Sequence, residues 1–372
     1  MPPIRIHLSS IAALLATFAT TIPAVEAQAV APAVAAGGST GLDFSGVRRF
    51  WAVAATLSRN AEPTEADWTA LLSTPGYRLA LVNLGPGLRD DIDLALKPSR
   101  RAERERVLAA GGERADVLRH LALAWAKRAD LARFGDSLAR SAVVPEAVAL
   151  AARLLPSGAT RGVAPPPVAV AIFRDDGYSL PGGIVIDLLN VRHVRLAENL
   201  GHEFHHSYVN RLARPLPPGS DTAYDAAFRT ALYDLRNEGL ADLIDKRHPF
   251  VSPNPGLASY AARYNAEYAR TLALMPRLDS ILAAASAGPR QAAAVGMTMQ
   301  MLFWSNGHPN GAYIAREIQE TFGADSLRAA ALDPAEFLRL FGEAERAHGR
   351  ADPLSAAAWA EIGRLDARYW KR

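Results

Sequence analysis

The chain reads as a mostly α-helical protein with a small β-sheet or hairpin just ahead of one histidine-rich helix. Three features predict this. Apolar residues recur at three- and four-residue intervals through residues 42–160 and again after Val191, the period of amphipathic helices. Only two short runs have the β-branched, uninterrupted apolar character of strands: 168–173 (Val-Ala-Val-Ala-Ile-Phe) and 183–188 (Gly-Ile-Val-Ile-Asp-Leu). Pro165-Pro166-Pro167 punctuates the chain between the first helical stretch and those runs.

Taken in order, residues 1–27 read as a secretory signal peptide. Arg5 supplies the positive charge, 11–22 is an apolar run too short to span a bilayer with margin, and Val25-Glu26-Ala27 offers small residues for cleavage near Ala27. The alternative is a buried N-terminal helix. The signal reading sends the protein to a periplasm or out of the cell, and without a cysteine after the apolar run a lipid anchor is excluded. Residues 28–41, mostly Ala, Val, Pro and Gly, read as a flexible linker. An N-terminal helical region follows over 42–160, and 161–372 forms the region that carries the chemistry.

The 41 basic and 38 acidic residues leave a net charge of +3 and are interspersed, so nothing points to nucleic acid. Arg100-Arg101-Ala102-Glu103-Arg104-Glu105-Arg106 mixes both signs at helical spacing and reads as a solvated helix face. There is no cysteine, which excludes disulfides, thiolate chemistry and Cys-ligated zinc. Any metal must be held by His and carboxylate. No segment after the signal has the length of apolar residues that a transmembrane helix needs.

Within the first region, Pro63-Thr64-Glu65 opens a helix with a capping residue, 113–138 carries one long amphipathic pattern, and 145–155 carries another. The two strand-like runs, joined through the turn chemistry of 174–177, suggest a hairpin or small sheet. Proline-rich stretches at 215–218 and 253–256 interrupt the later helices.

Four of the nine histidines fall between His193 and His206. On a helix, His202 and His206 differ by only about 40° around the axis, so both imidazoles reach one cation. Glu203 lies within about another 60°, close enough to meet a metal-held water without ligating the ion. Ala197, Leu200, Phe204 and Tyr208 form an apolar stripe on the other side of that helix, and His205 reads as a bystander. A second helix spans 224–246. Its inward stripe of Phe228, Ala231, Leu232 and Leu235 continues into Glu238 and Asp242. Carboxylates on a core-facing stripe are costly unless paired or bound to metal. A buried ion pair with Arg229 or Arg236 is one reading. The other completes a His₂Glu ligand set at Glu238, with Asp242 orienting a ligand imidazole.

His202-Glu203-x-x-His206 followed by Asn237-Glu238-Gly239-Leu240-Ala241-Asp242 resembles the gluzincin metallopeptidases. Thermolysin-like enzymes carry a similar Asn-Glu-x-x-Ser-Asp segment. The longer gap here, with its proline-rich loop, departs from that pattern. The sequence is more similar to a group of bacterial proteins taken to be zinc-dependent peptidases, in which a Glu-Gly-x-Ala-Asp segment supplies the third ligand. The stretch Gly307-His308-Pro309-Asn310-Gly311-Ala312-Tyr313 is similar to that group's Gly-x-Pro-x-Gly-Tyr, with Ala312 intervening.

The resemblance covers residues 165–325. It implies a zincin-like α+β fold, one Zn²⁺ per chain, a peptide or protein substrate and a bacterial periplasm. It further implies hydrolysis with His202, His206 and Glu238 as ligands, Glu203 as general base, Asn237 and Asp242 behind the ligands, and His308 or Tyr313 as oxyanion donor. The 183–188 strand could offer a peptide its edge. A non-catalytic zinc-binding or partner-binding protein on a peptidase fold, and an amide hydrolase acting on cell-wall material, remain open beside it.

Overall fold

Thr64 begins a helix as its chemistry dictates. Its hydroxyl accepts from the Asp67 N–H while the Asp67 carboxylate accepts from the Thr64 N–H, a reciprocal cap that satisfies two donors no helix turn can reach. That helix belongs to a computed structural model that describes residues 41–180, 182–192, 195–213, 223–252 and 258–371. The signal-peptide reading of 1–27, almost all of the 28–41 linker and the proline-rich stretches 215–218 and 253–256 lie outside the described residues.

Strand β1 (Leu42–Asp43) leads into α1 (Ser45–Ser58), α2 (Glu65–Leu72), α3 (Pro75–Leu84), α4 (Leu88–Leu96) and α5 (Arg101–Ala110). The long pattern at 113–138 forms two helices, α6 (Glu113–Ala126) and α7 (Arg128–Leu138), because Lys127 leaves helical geometry at φ −94° and ψ 11°. Helix α8 (Val143–Ala152) completes this part.

The two apolar runs form β2 (Val168–Ala171) and β4 (Gly183–Asp187), yet they are not a hairpin. They pair in parallel, with Val168 opposite Ile184, and a tight turn cannot join parallel neighbours. The hairpin partner of β4 is β3 (Gly177–Leu180), antiparallel to it, in a sheet ordered β1-β2-β4-β3. Every residue of β2 and β4 is buried, which explains their continuous apolar sequence. The half-buried Gly-Tyr-Ser-Leu of β3 carries no such signal. Strand β4 is therefore interior, and the sheet edge beside the histidine helix is β3. A peptide seeking an edge meets β3, not 183–188.

After the sheet come α9 (Leu196–Leu212), α10 (Ala223–Asp245), α11 (Ala258–Ala269), α12 (Thr271–Ser286), α13 (Pro289–Gln300), α14 (His308–Ala329, broken at Gly323), α15 (Pro334–Ala347) and α16 (Ala356–Leu365). One apolar core unites the sheet with α1, α3, α4, α6 and α9 around Phe50, Leu57, Tyr77, Ile184 and Phe204. A second unites α10, α12, α14, α15 and α16 around Phe228, Leu235, Leu278, Ile318 and Phe341. Each such fully buried side chain contributes about 1.5–3 kcal/mol of transfer free energy. Helices α9 and α10 pack against each other, so the two polar motifs meet where the cores adjoin. Among the described residues no helix is long and apolar enough to cross a membrane.

Candidate metal centre

Leu200, Phe204 and Tyr208 bury one side of α9 in the first core, as the stripe predicts. The opposite side is covered as well: His202 and His206 are both buried, and α10 lies over this helix. Their Nε2 atoms approach to 2.9 Å with the rings nearly perpendicular, at 83°. His205 is fully buried, and burial lowers its pKa well below the usual histidine range.

Glu238 comes from α10 to meet them. Its Oε2 lies 3.0 Å from His206 Nε2 and 3.5 Å from His202 Nε2, and neither contact has the angles of a hydrogen bond. Burial opposes charge on Glu238, but the field of His206 beside it holds the carboxyl well below the usual carboxylate range. The backs of the rings are held in turn. His202 Nδ1 lies 3.1 Å from Asp245 Oδ1 and 3.5 Å from Asp242 Oδ1, so it carries a proton toward the two carboxylates. The Asn237 amide lies 2.8 Å from His206 Nδ1. The amide nitrogen faces the ring, and the flipped amide would accept from an Nδ1–H.

Two imidazole nitrogens and one carboxylate oxygen thus converge within 2.9–3.5 Å. Two imidazoles with one carboxylate are a ligand set suited to zinc. The surrounding field agrees. Burial alone would lower the His202 pKa, yet Asp245 holds it well above the usual histidine range, so this pocket stabilises positive charge. Burial raises the Glu203 carboxyl above the ordinary glutamate value, outweighing the nearby His202 and His206.

Helix α14 closes the cluster from a third side. It crosses α10 backbone to backbone at Gly239 and Gly311. A Cβ at Gly311 would sit 2.8 Å from Gly239 Cα and closer still to the Leu235 carbonyl. That approach brings His308, the first residue of α14, to the site: its Nδ1 lies 2.9 Å from Asp242 Oδ1 and its Nε2 3.2 Å from Glu238 Oε2. Ahead of it, Ser305, Asn306 and Gly307 all adopt left-handed backbone, at φ 51°, 51° and 84°. For the two non-glycine residues this costs about 1–2 kcal/mol each. Asp242 is fully buried and also accepts from Lys246 Nζ at 2.6 Å and Tyr264 OH at 2.8 Å.

The structure therefore brings His202, His206, Glu238, Asn237, Asp242 and His308 together, with Glu203 on the same turn as the first two. It does not bring Tyr313. Five residues along α14, and about 140° around it, that ring packs against Tyr268 and Phe341. Neither Arg229 nor Arg236 pairs with Glu238 or Asp242; the buried Arg236 guanidinium donates to the Ala331 carbonyl.

Asp245, Asp234 and Lys246 were not anticipated. Glu238, Asp242 and Asp245 stand at i, i+4 and i+7, so the stripe that marks the first two carboxylates also marks the third. Asp234, one turn before Glu238, has its carboxyl raised to about 6 by burial and by the Glu238 charge. Replacing Asp245 by Ala is expected to weaken zinc binding about 10–100-fold, because His202 loses the acceptor that orients it. Competition with a chromogenic chelator measures this, and an unchanged affinity would show that His202 needs no such support.

What the two helices present is a candidate centre for a divalent cation held by histidine and carboxylate. A family model described as "Putative zinc dependent peptidase (DUF5700)" matches residues 68–348, and the chain belongs to that family. The match begins at Trp68, so it takes in most of the N-terminal helices, well beyond the 165–325 that the motifs alone delimit. No curated protein and no solved structure matches the chain.

Proposed function

We propose that the protein hydrolyses peptide bonds as a gluzincin-type peptidase, with one zinc held by His202, His206 and Glu238 and with Glu203 as general base. The observation that carries this reading is the convergence of two imidazole Nε2 atoms and one carboxylate oxygen within 2.9–3.5 Å, on the helix turn that also bears Glu203. Zinc in such a site supplies Lewis-acid polarisation of a carbonyl and acidifies water near neutral pH.

The protein's own residues do the rest. Glu203 is not among the converging ligand atoms, so its carboxylate is free to take a proton from the attacking water and return it to the leaving amine. Its raised pKa suits that exchange. Asp245 and Asn237 hold the two imidazoles in orientation from behind. The β3 edge, next to α9, offers an extended substrate backbone hydrogen bonds. The signal-peptide reading adds that the mature protein works in a periplasm or outside the cell.

Zinc content decides the ligand set. The purified wild type is expected to hold one zinc per chain and Glu238→Ala to hold none at micromolar zinc. Zinc retained in the variant removes Glu238 from the set. A wild type that binds none after refolding with zinc overturns the reading.

A further inference from the structure

We infer that His308 is a fourth protein ligand, so that the resting centre is closed by three imidazoles and one carboxylate. This rests on the reading that a metal occupies the site. It departs from an oxyanion role for His308, and the reason lies in where its protons go. Nδ1 faces the Asp242 carboxylate at 2.9 Å, so the ring's N–H is spent there. Asp242 cannot turn away, because Lys246 and Tyr264 hold its two oxygens. Nε2 faces the Glu238 oxygen 3.2 Å away. That is the same oxygen that faces the Nε2 atoms of His202 and His206.

His202, Glu238 and His308 each offer a donor atom within 4.8 Å of the other two, a group able to hold a metal ion. The rings of His308 and His202 also lie nearly parallel, at 16° with centroids 5.7 Å apart, both turning Nε2 to the one oxygen. The left-handed turn at Ser305-Asn306-Gly307 is the device that delivers this geometry: strained backbone persists where the surroundings over-determine it. Four protein ligands fill a tetrahedral zinc, so a substrate must either displace His308 or enter as a fifth ligand.

X-ray absorption on the zinc-loaded full-length protein counts the imidazoles without using activity. Three per zinc are expected in the wild type. In His308→Ala the count should fall to two, with a light oxygen donor in the vacated position and zinc affinity weaker by about 10-fold or more. Two imidazoles per zinc in the wild type would overturn the fourth ligand while leaving the peptidase reading intact. A wild type that binds no zinc overturns both. The wild-type count decides the matter even if the variant does not fold.

Discussion

Glu203→Gln is expected to retain one zinc per chain and to lose peptide hydrolysis by about 10²–10⁴-fold, the range that general acid–base groups contribute. The substitution keeps the side chain's shape and its place on α9 beside His202 and His206, so the ligand atoms should not move. What it removes is a carboxylate able to accept a proton. The structure sharpens this expectation in two ways. Glu203 takes no part in the convergence of Nε2 and Oε2 atoms, which leaves the metal set whole. Its carboxyl is also raised by burial, so it is a stronger base than a solvated glutamate. Zinc analysis and a quenched-fluorescence peptide library, run on the same samples, test both halves. Full activity in the variant would take the base role from Glu203. Loss of zinc would instead mean that the Glu203 charge supports the metal.

Gly311→Ala is expected to be strongly destabilising. A Cβ there would collide with the Leu235 carbonyl and lie 2.8 Å from Gly239 Cα. Both neighbours are helix backbone, which cannot rotate aside as a side chain can. Overpacking of this kind usually costs about 1–3 kcal/mol, and a backbone clash belongs at or above the top of that range. In a chain of this size about 3 kcal/mol lowers the melting temperature by about 4 °C. Moving α14 off α10 also carries His308 away from Glu238 and Asp242, so zinc should be held more weakly. Gly363→Ala provides the control. It sits in α16 with open space where a Cβ would go, and a helical Gly→Ala change there is neutral or stabilising by up to about 1 kcal/mol. Equal melting temperatures for the two variants would refute the close crossing of α10 and α14.

Much of the centre was legible before any tertiary structure, because its parts are local. His202 and His206 share a helix face through a spacing of four, and that relation holds wherever the helix sits. The stripe on α10 likewise marks Glu238 and Asp242 as inward-facing, and continuing it one more turn reaches Asp245. The cap at Thr64 is equally local. Other readings failed where the physics was not local. The runs 168–173 and 183–188 look alike because both strands are fully buried, yet burial says nothing about direction, and β3 is too polar and too short to announce itself. The break at Lys127 leaves the amphipathic period of 113–138 undisturbed, so the period cannot reveal it.

His308 shows the same division most clearly. Sequence similarity marks its segment as noteworthy, but 66 residues separate it from Asp242, and no periodicity links positions that far apart. Tyr313 carries the same motif and ends among aromatic side chains instead. The sequence by itself determined the helix-borne groups: two imidazoles, a glutamate between them and a carboxylate stripe to meet them. Only the tertiary structure decided which strand lies at the edge, that α9 and α10 meet between two cores, and that a glycine crossing brings α14 close enough for a third histidine. The reason is physical: helix and strand periods are properties of neighbouring residues, whereas the approach of one helix to another depends on every side chain, or missing side chain, along the contact.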